Sequence, residues 1–162
     1  MPGDEYDAIQ KSYATLGPRL AEVSEIFYAR LFARHPDVRR LFPADMGLQV
    51  GHLRAALALI GRNVSVLKSL EGPLMELGAQ HVSYGARPEH YPIVRDLLAE
   101  SIACVMGPAW TPDLEAEWKR LLEWVCNVML RGAALGLIGD PSAIHIKVEP
   151  PKTRKYLSSE GR

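Results

Sequence analysis

Phe27-Tyr28-Ala29-Arg30-Leu31-Phe32-Ala33-Arg34-His35-Pro36-Asp37-Val38-Arg39-Arg40-Leu41-Phe42 is the stretch on which the reading of this chain turns. Its first half continues an apolar stripe that begins upstream. Leu20, Val23, Ile26, Phe27 and Leu31 recur at the spacing that puts side chains on one face of an α-helix, which predicts a helix over about Arg19 to Arg34. Pro36 cannot extend that helix, because proline lacks an N–H and clashes with the preceding turn, yet it suits the first turn of a new one. A short helical turn therefore continues through Val38 to Leu41, and Phe42-Pro43 ends it.

Working outward, the same periodicity continues on both sides. Upstream, a helix over about Asp4 to Leu16 stops at Gly17-Pro18. Downstream, a helix over about Gly47 to Val66 places Gln49, Leu53, Leu57 and Ile60 on one face. A short helix over about Pro73 to His81 leads to a Gly85-Ala86-Arg87-Pro88 corner. Two long helices follow, over about Pro88 to Met106 and Pro112 to Gly136, the last carrying Leu114, Trp118, Leu121, Leu122, Val125, Val128 and Met129. Glycine and proline fall between these segments, and no alternating β pattern of useful length intervenes. The fold class is all-α, with six to eight helices crossing obliquely around one pocket. Residues 1–139 read as one domain. Residues 140–162, with Pro141, Pro150 and Pro151 and few large apolar side chains, read as a polar tail outside the core.

Composition narrows the function classes. The chain has 162 residues, 48% of them apolar, enough for one packed core. Its 19 basic and 19 acidic side chains cancel, so no global field draws it to nucleic acid or an anionic membrane. No apolar run reaches the roughly 18 residues of a membrane span, and the acidic start MPGDEYDAIQ lacks the pattern of a signal peptide, which predicts a cytoplasmic protein. The two cysteines, Cys104 and Cys126, lie in apolar runs without zinc-ligand spacing and read as buried free thiols.

The candidate site is assembled from residues that mean little singly. His81 ends an apolar stripe of Leu74, Leu77 and Gly78, which turns its imidazole inward. A lone buried histidine is more often a hydrogen-bonded core residue than a ligand. Gln49, 32 residues earlier, begins the apolar face of the preceding long helix, and the helix pair could place the two side chains on opposite sides of a flat ligand. A glutamine amide donates to partial negative charge. In isolation Gln49 is a surface residue and Tyr28 a packing aromatic.

The stretch 27–42 resembles the opening of bacterial single-domain globins of the Vitreoscilla type and of the globin domain of flavohaemoglobins. Leu77-Gly78-Ala79-Gln80-His81, followed by His90-Tyr91-Pro92-Ile93-Val94, is similar to the proximal helix and the next helix start of that family. The likeness covers about residues 5–135. It implies a globin fold holding haem b (iron protoporphyrin IX), with His81 as the proximal iron ligand and Phe42 wedged against the haem. It implies that Tyr28 and Gln49 face the bound gas (O2, NO or CO) and carry its chemistry, and that Leu53 limits the space above the iron. Tyr84 falls near the proximal edge, where packing explains it equally well. His52 reaches a haem propionate, swings in as a sixth ligand, or simply faces solvent.

In flavohaemoglobins a Tyr and a Glu accompany the proximal His, the Glu making the imidazole a stronger electron donor. Here the Tyr is Tyr91, but the Glu position falls on Ala133, leaving the imidazole N–H to a backbone carbonyl such as that of Leu77. No flavin- or nicotinamide-binding domain follows, so a catalytic cycle would draw electrons from a separate reductase. The reading is a globin that converts NO to nitrate with bound O2. Its alternative is non-enzymatic O2 storage or delivery, or gas sensing through a partner. The resemblance implies a monomer or weak homodimer. A helical regulator without a cofactor would require the Tyr–Phe–Gln–His set to be coincidence.

Overall fold

Helix α1 (Asp7–Leu16) passes through a 3-10 turn at Gly17–Arg19 into α2 (Leu20–Arg34). A second 3-10 turn, Pro36–Leu41, leads to α3 (Gly47–Arg62), and a third stretch, Val64–Leu70, to α4 (Glu71–Ser83). Helix α5 (His90–Met106) and α6 (Pro112–Leu135) complete the computed structural model, which describes residues 5–136. Among these residues there is no strand, and no helix is long and apolar enough to cross a membrane. The boundary expected at residue 139 and the tail at 140–162 lie outside the described residues.

The helix ends depart from the periodicity for local reasons. Helix α1 starts at Asp7 rather than Asp4, where the buried Glu117 carboxylate accepts the N–H of Ala8 at 3.1 Å and of Ile9 at 3.2 Å. These are amides that a helix's first turn leaves without partners. Helix α3 stops at Arg62 instead of Val66: the Asn63 amide donates to Leu59 O at 2.7 Å, and Val66 adopts non-helical angles of −133° and 41°. A side chain that bonds the backbone of the last turn competes with helix continuation. Helix α4 begins two residues before Pro73, whose missing N–H is harmless in a first turn, and runs to Ser83. Helix α5 begins at His90 rather than Pro88, with the His90 ring accepting the Arg87 N–H at 3.0 Å. Helix α6 opens on Thr111, whose hydroxyl accepts the Leu114 N–H at 3.2 Å, with Pro112 in the first helical position.

The core lies between α2, α5 and α6, where Val23, Ile102, Trp118, Leu121 and Val128 are fully enclosed, and α1 adds Ile9 and Leu16. Two crossings position the site. At the first, Ser24 of α2 donates to Val50 O of α3 at 2.8 Å, its small side chain bringing the two helices together. At the second, Gly78 of α4 faces Met129 of α6, and Gly132 of α6 faces Met75 of α4. A Cβ at either glycine would lie 1.8 Å from the facing carbonyl oxygen, so only glycine permits this approach. The cysteines correct one expectation. Cys126 is half-buried, but Cys104 is exposed, because on α5 it points away from the buried stripe of Leu98, Ile102 and Val105.

Candidate functional site

A cavity of about 250 Å3 is enclosed by α2, the Pro36–Leu41 turn, α3, α4, α5 and α6. Its wall is mostly aliphatic and aromatic, including Phe27 and Leu31 from α2, Leu57 and Ile60 from α3, Leu98 from α5 and Val125 from α6. Tyr28, Phe42, Gln49, His52, Leu53, His81, Tyr84 and Tyr91 all line it, so the residues singled out from sequence converge on one space. Ala133 is not among the lining residues.

His81 sits in the last turn of α4, three residues beyond the Gly78 crossing. Its Nδ1 lies 2.7 Å from Leu77 O, one turn back. A carbonyl only accepts, so Nδ1 carries the hydrogen and Nε2 keeps a free lone pair. Burial pushes the imidazole pKa below the usual histidine value, and the Leu77 bond partly opposes that shift. A neutral ring with one committed nitrogen is the form in which histidine binds metal. The Tyr84 ring stands 5.6 Å from the His81 ring, and burial raises its phenol pKa. Tyr91 is buried on α5, its carbonyl approached by the Cys126 thiol at 3.9 Å, and burial pushes its phenol up to about 12.

Across the cavity, Gln49 Nε2 donates to the Tyr28 hydroxyl oxygen at 3.0 Å. Having accepted that bond, the hydroxyl retains its own hydrogen for a ligand. Burial raises the Tyr28 pKa to about 12 against a smaller opposing effect of Gln49, so the donor stays protonated near neutrality. Tyr28 is held by rings on three sides: Phe27 at 5.0 Å edge-on, Phe32 at 5.9 Å stacked, and Phe42 at 5.6 Å edge-on. Gln49 Oε1 and His52 Nδ1 are buried and have no hydrogen-bond partner. Polar atoms left so cost about 1–3 kcal/mol each unless something fills the space beside them.

His90 and Arg95 also line the cavity, and sequence periodicity missed both. His90 precedes Tyr91 in the first turn of α5, and the 85–88 corner carries it to the cavity edge. A helical repeat contains no signal for that placement.

The donor set fits haem. Among the described residues no three His, Cys, Asp or Glu side chains gather to hold a bare metal ion. His81 would therefore bind iron within a group that brings its own ligands, and the apolar wall suits the flat face of a porphyrin.

The globin family model matches residues 25–129. The chain belongs to the globin family. This globin is 30% identical over 115 residues, 69% of its length, to a flavohemoprotein of Rhizobium meliloti. It is 32% identical over 111 residues, 67% of its length, to one of Deinococcus radiodurans. In each case it spans 28% of the relative's length. Among solved structures it is similar to an engineered carbene transferase from Rhodothermus marinus, provisionally described as a nitric oxide dioxygenase, with TM-score 0.73 and 25% identity. That match covers 80% of this chain and 91% of the other. The bacterial globin of Campylobacter jejuni shares the fold at TM-score 0.72 and 19% identity, covering 81% of this chain and 95% of that one. The globin fold expected from sequence is thus the fold of this chain.

Proposed function

We propose that this globin holds haem b through His81, takes up diatomic gases, and serves NO removal by converting NO to nitrate with O2. When bound, haem supplies the reversible gas binding and the one-electron chemistry by which O2 and NO combine to nitrate, a reductase returning the electron. The residues of the chain do the rest. His81 offers Nε2 as ligand while Leu77 O fixes its ring and tautomer. Phe42 and Leu53 narrow the space on the cofactor face, and Tyr28 and Gln49 present the polar groups of the distal side. The described residues form a single globin fold without a flavin- or nicotinamide-binding unit, so reducing power reaches the site from outside them.

The observation that carries this reading is the 3.0 Å bond from Gln49 to Tyr28. It leaves the tyrosine hydrogen free to hold negative charge that develops on a bound gas, and a preorganised donor in an apolar cavity is worth more than one in water. The names of the relatives, flavohemoproteins and a provisional nitric oxide dioxygenase, point the same way. The test is to mix the oxygenated protein with NO in a stopped-flow instrument. Rapid loss of the oxy spectrum with one nitrate formed per protein supports the reading, and its absence refutes it.

One observation favours the alternative of reversible O2 storage. The His81 N–H is bonded to a neutral backbone carbonyl, and Ala133 supplies no carboxylate, so the ring gains little electron-donating strength. An iron–histidine stretching frequency as high as that of flavohaemoglobins would remove this support.

A further inference from the structure

Where the chain leaves the Pro36–Leu41 turn it becomes extended, with Phe42 at φ −118° and ψ 155°. The carbonyls that follow have no helical partners until α3 starts at Gly47. Arg39 supplies them. Its guanidinium donates from Nη1 to Phe42 O at 3.2 Å and Pro43 O at 2.8 Å, and from Nη2 to Ala44 O at 3.1 Å. The Arg39 carbonyl in turn accepts the Phe42 N–H at 3.1 Å. Asp45 then takes the Gly47 N–H at 2.9 Å, and Gln49 follows in the first turn of α3. The same guanidinium lies over the Phe32 ring at 4.9 Å, and Phe32 meets Phe42 edge-on at 5.3 Å. Arg39 therefore holds Phe42 twice, through its backbone and through the ring beside it. Both rings bear on Tyr28.

We propose that Arg39 is the positioning residue of the distal side, a three-carbonyl fork that sets Phe42, the Tyr28 hydroxyl and the approach of Gln49. Arg39 does not line the cavity and touches no ligand. It acts on the distal donors through the Phe32–Phe42–Tyr28 rings and through the linker into α3. A planar guanidinium satisfies three consecutive carbonyls at once, which the single ammonium of lysine does not reproduce. Surface charge alone would give Arg39 no such role, since an isolated exposed cation contributes little. The consequence for gas binding rests on the haem reading above. The ring positions do not.

The test uses both levels. The protein contains three phenylalanines, Phe27, Phe32 and Phe42, so fluorophenylalanine labelling gives three 19F resonances. Arg39→Ala should move or broaden the Phe32 and Phe42 signals more than that of Phe27, which meets the cluster only through Tyr28, with or without haem. In the haem-loaded, CO-saturated ferrous protein, the C–O stretching band of Arg39→Ala should shift toward that of Tyr28→Phe. O2 dissociation should rise about three- to tenfold, the effect of one weakened hydrogen bond. Arg39→Lys should fall nearer to Arg39→Ala than to wild type. Unmoved Phe32 and Phe42 signals, or an unmoved C–O band in a haem-loaded Arg39→Ala, would overturn the proposal. So would a lysine variant identical to wild type. A wild-type protein that takes up no haem would strike the haem reading instead, and the 19F spectra would still decide the placement of the rings.

Discussion

Replacing Gly78 by alanine sets two effects of opposite sign against each other, and the structure decides which wins. In an unobstructed helix interior, glycine to alanine is stabilising by about 1 kcal/mol, through helix propensity and the reduced freedom of the unfolded chain. At Gly78 the added Cβ would lie 1.8 Å from Met129 O, 2.5 Å from its carbonyl carbon and 2.7 Å from its Cα. All three are backbone atoms, so no side chain can swing aside. Real contacts of this kind stay beyond 3.0 Å, so α4 and α6 must separate locally by about 1.2 Å. Overpacking of this sort costs about 1–3 kcal/mol, and more when backbone rather than side chain must move. The expected net result is a loss of about 2 kcal/mol, which at this chain length lowers Tm by about 4–8 °C. Gly51→Ala in α3 is the control, because its Cβ would meet nothing within 4 Å, and it should be stabilising by about 0.5–1 kcal/mol. Urea unfolding followed by far-UV circular dichroism measures both variants. The displacement should also reach His81, which lies three residues on along the same face, so haem should leave Gly78→Ala faster than wild type. A Gly78→Ala protein as stable as wild type, or one that gains as Gly51→Ala does, would refute the reasoning.

Glu117→Ala should lose about 2–3 kcal/mol in urea unfolding, because it orphans the N–H groups of Ala8 and Ile9 that the carboxylate accepts, and Glu117→Gln should lose less. The two thiols should separate by reactivity. Burial pushes Cys126 up to about 11, so at pH 8 it holds little thiolate, and iodoacetamide should modify the exposed Cys104 first, with the second equivalent consumed on unfolding. Mass spectrometry of digested peptides checks that order. Tyr28→Phe keeps the ring contacts but removes the distal hydroxyl, and should speed O2 release about tenfold in a stopped-flow displacement assay, with haem retained.

The helices were legible from sequence because periodicity is a property of neighbours along the chain. Leu20, Val23, Phe27 and Leu31 announce α2 whatever they pack against. The sequence order of Tyr28, Phe42, Gln49 and His81, with their spacing, was enough to single them out through a family resemblance, and the structure places all four on one cavity. Helix ends were less legible. Asn63 halts α3 through a side-chain bond, and the Glu117 carboxylate meets the start of α1 from more than a hundred residues away.

What sequence by itself determined is therefore the helical class, the approximate segments and the identity of the candidate ligand and donors. Tertiary structure alone decided how those residues are held. The free hydrogen on Tyr28 exists because Gln49 of another helix donates to its oxygen. The close approach of α4 to α6 exists because Gly78 and Gly132 each meet a backbone carbonyl of the partner helix. His90 reaches the cavity from the first turn of α5, just past the 85–88 corner, Arg95 lines it one turn beyond Tyr91, and Arg39 is fixed by the three successive carbonyls of Phe42, Pro43 and Ala44. A helix repeats every few residues and can be read locally, whereas these contacts depend on the angle and distance between helices, which the packing of the whole core sets.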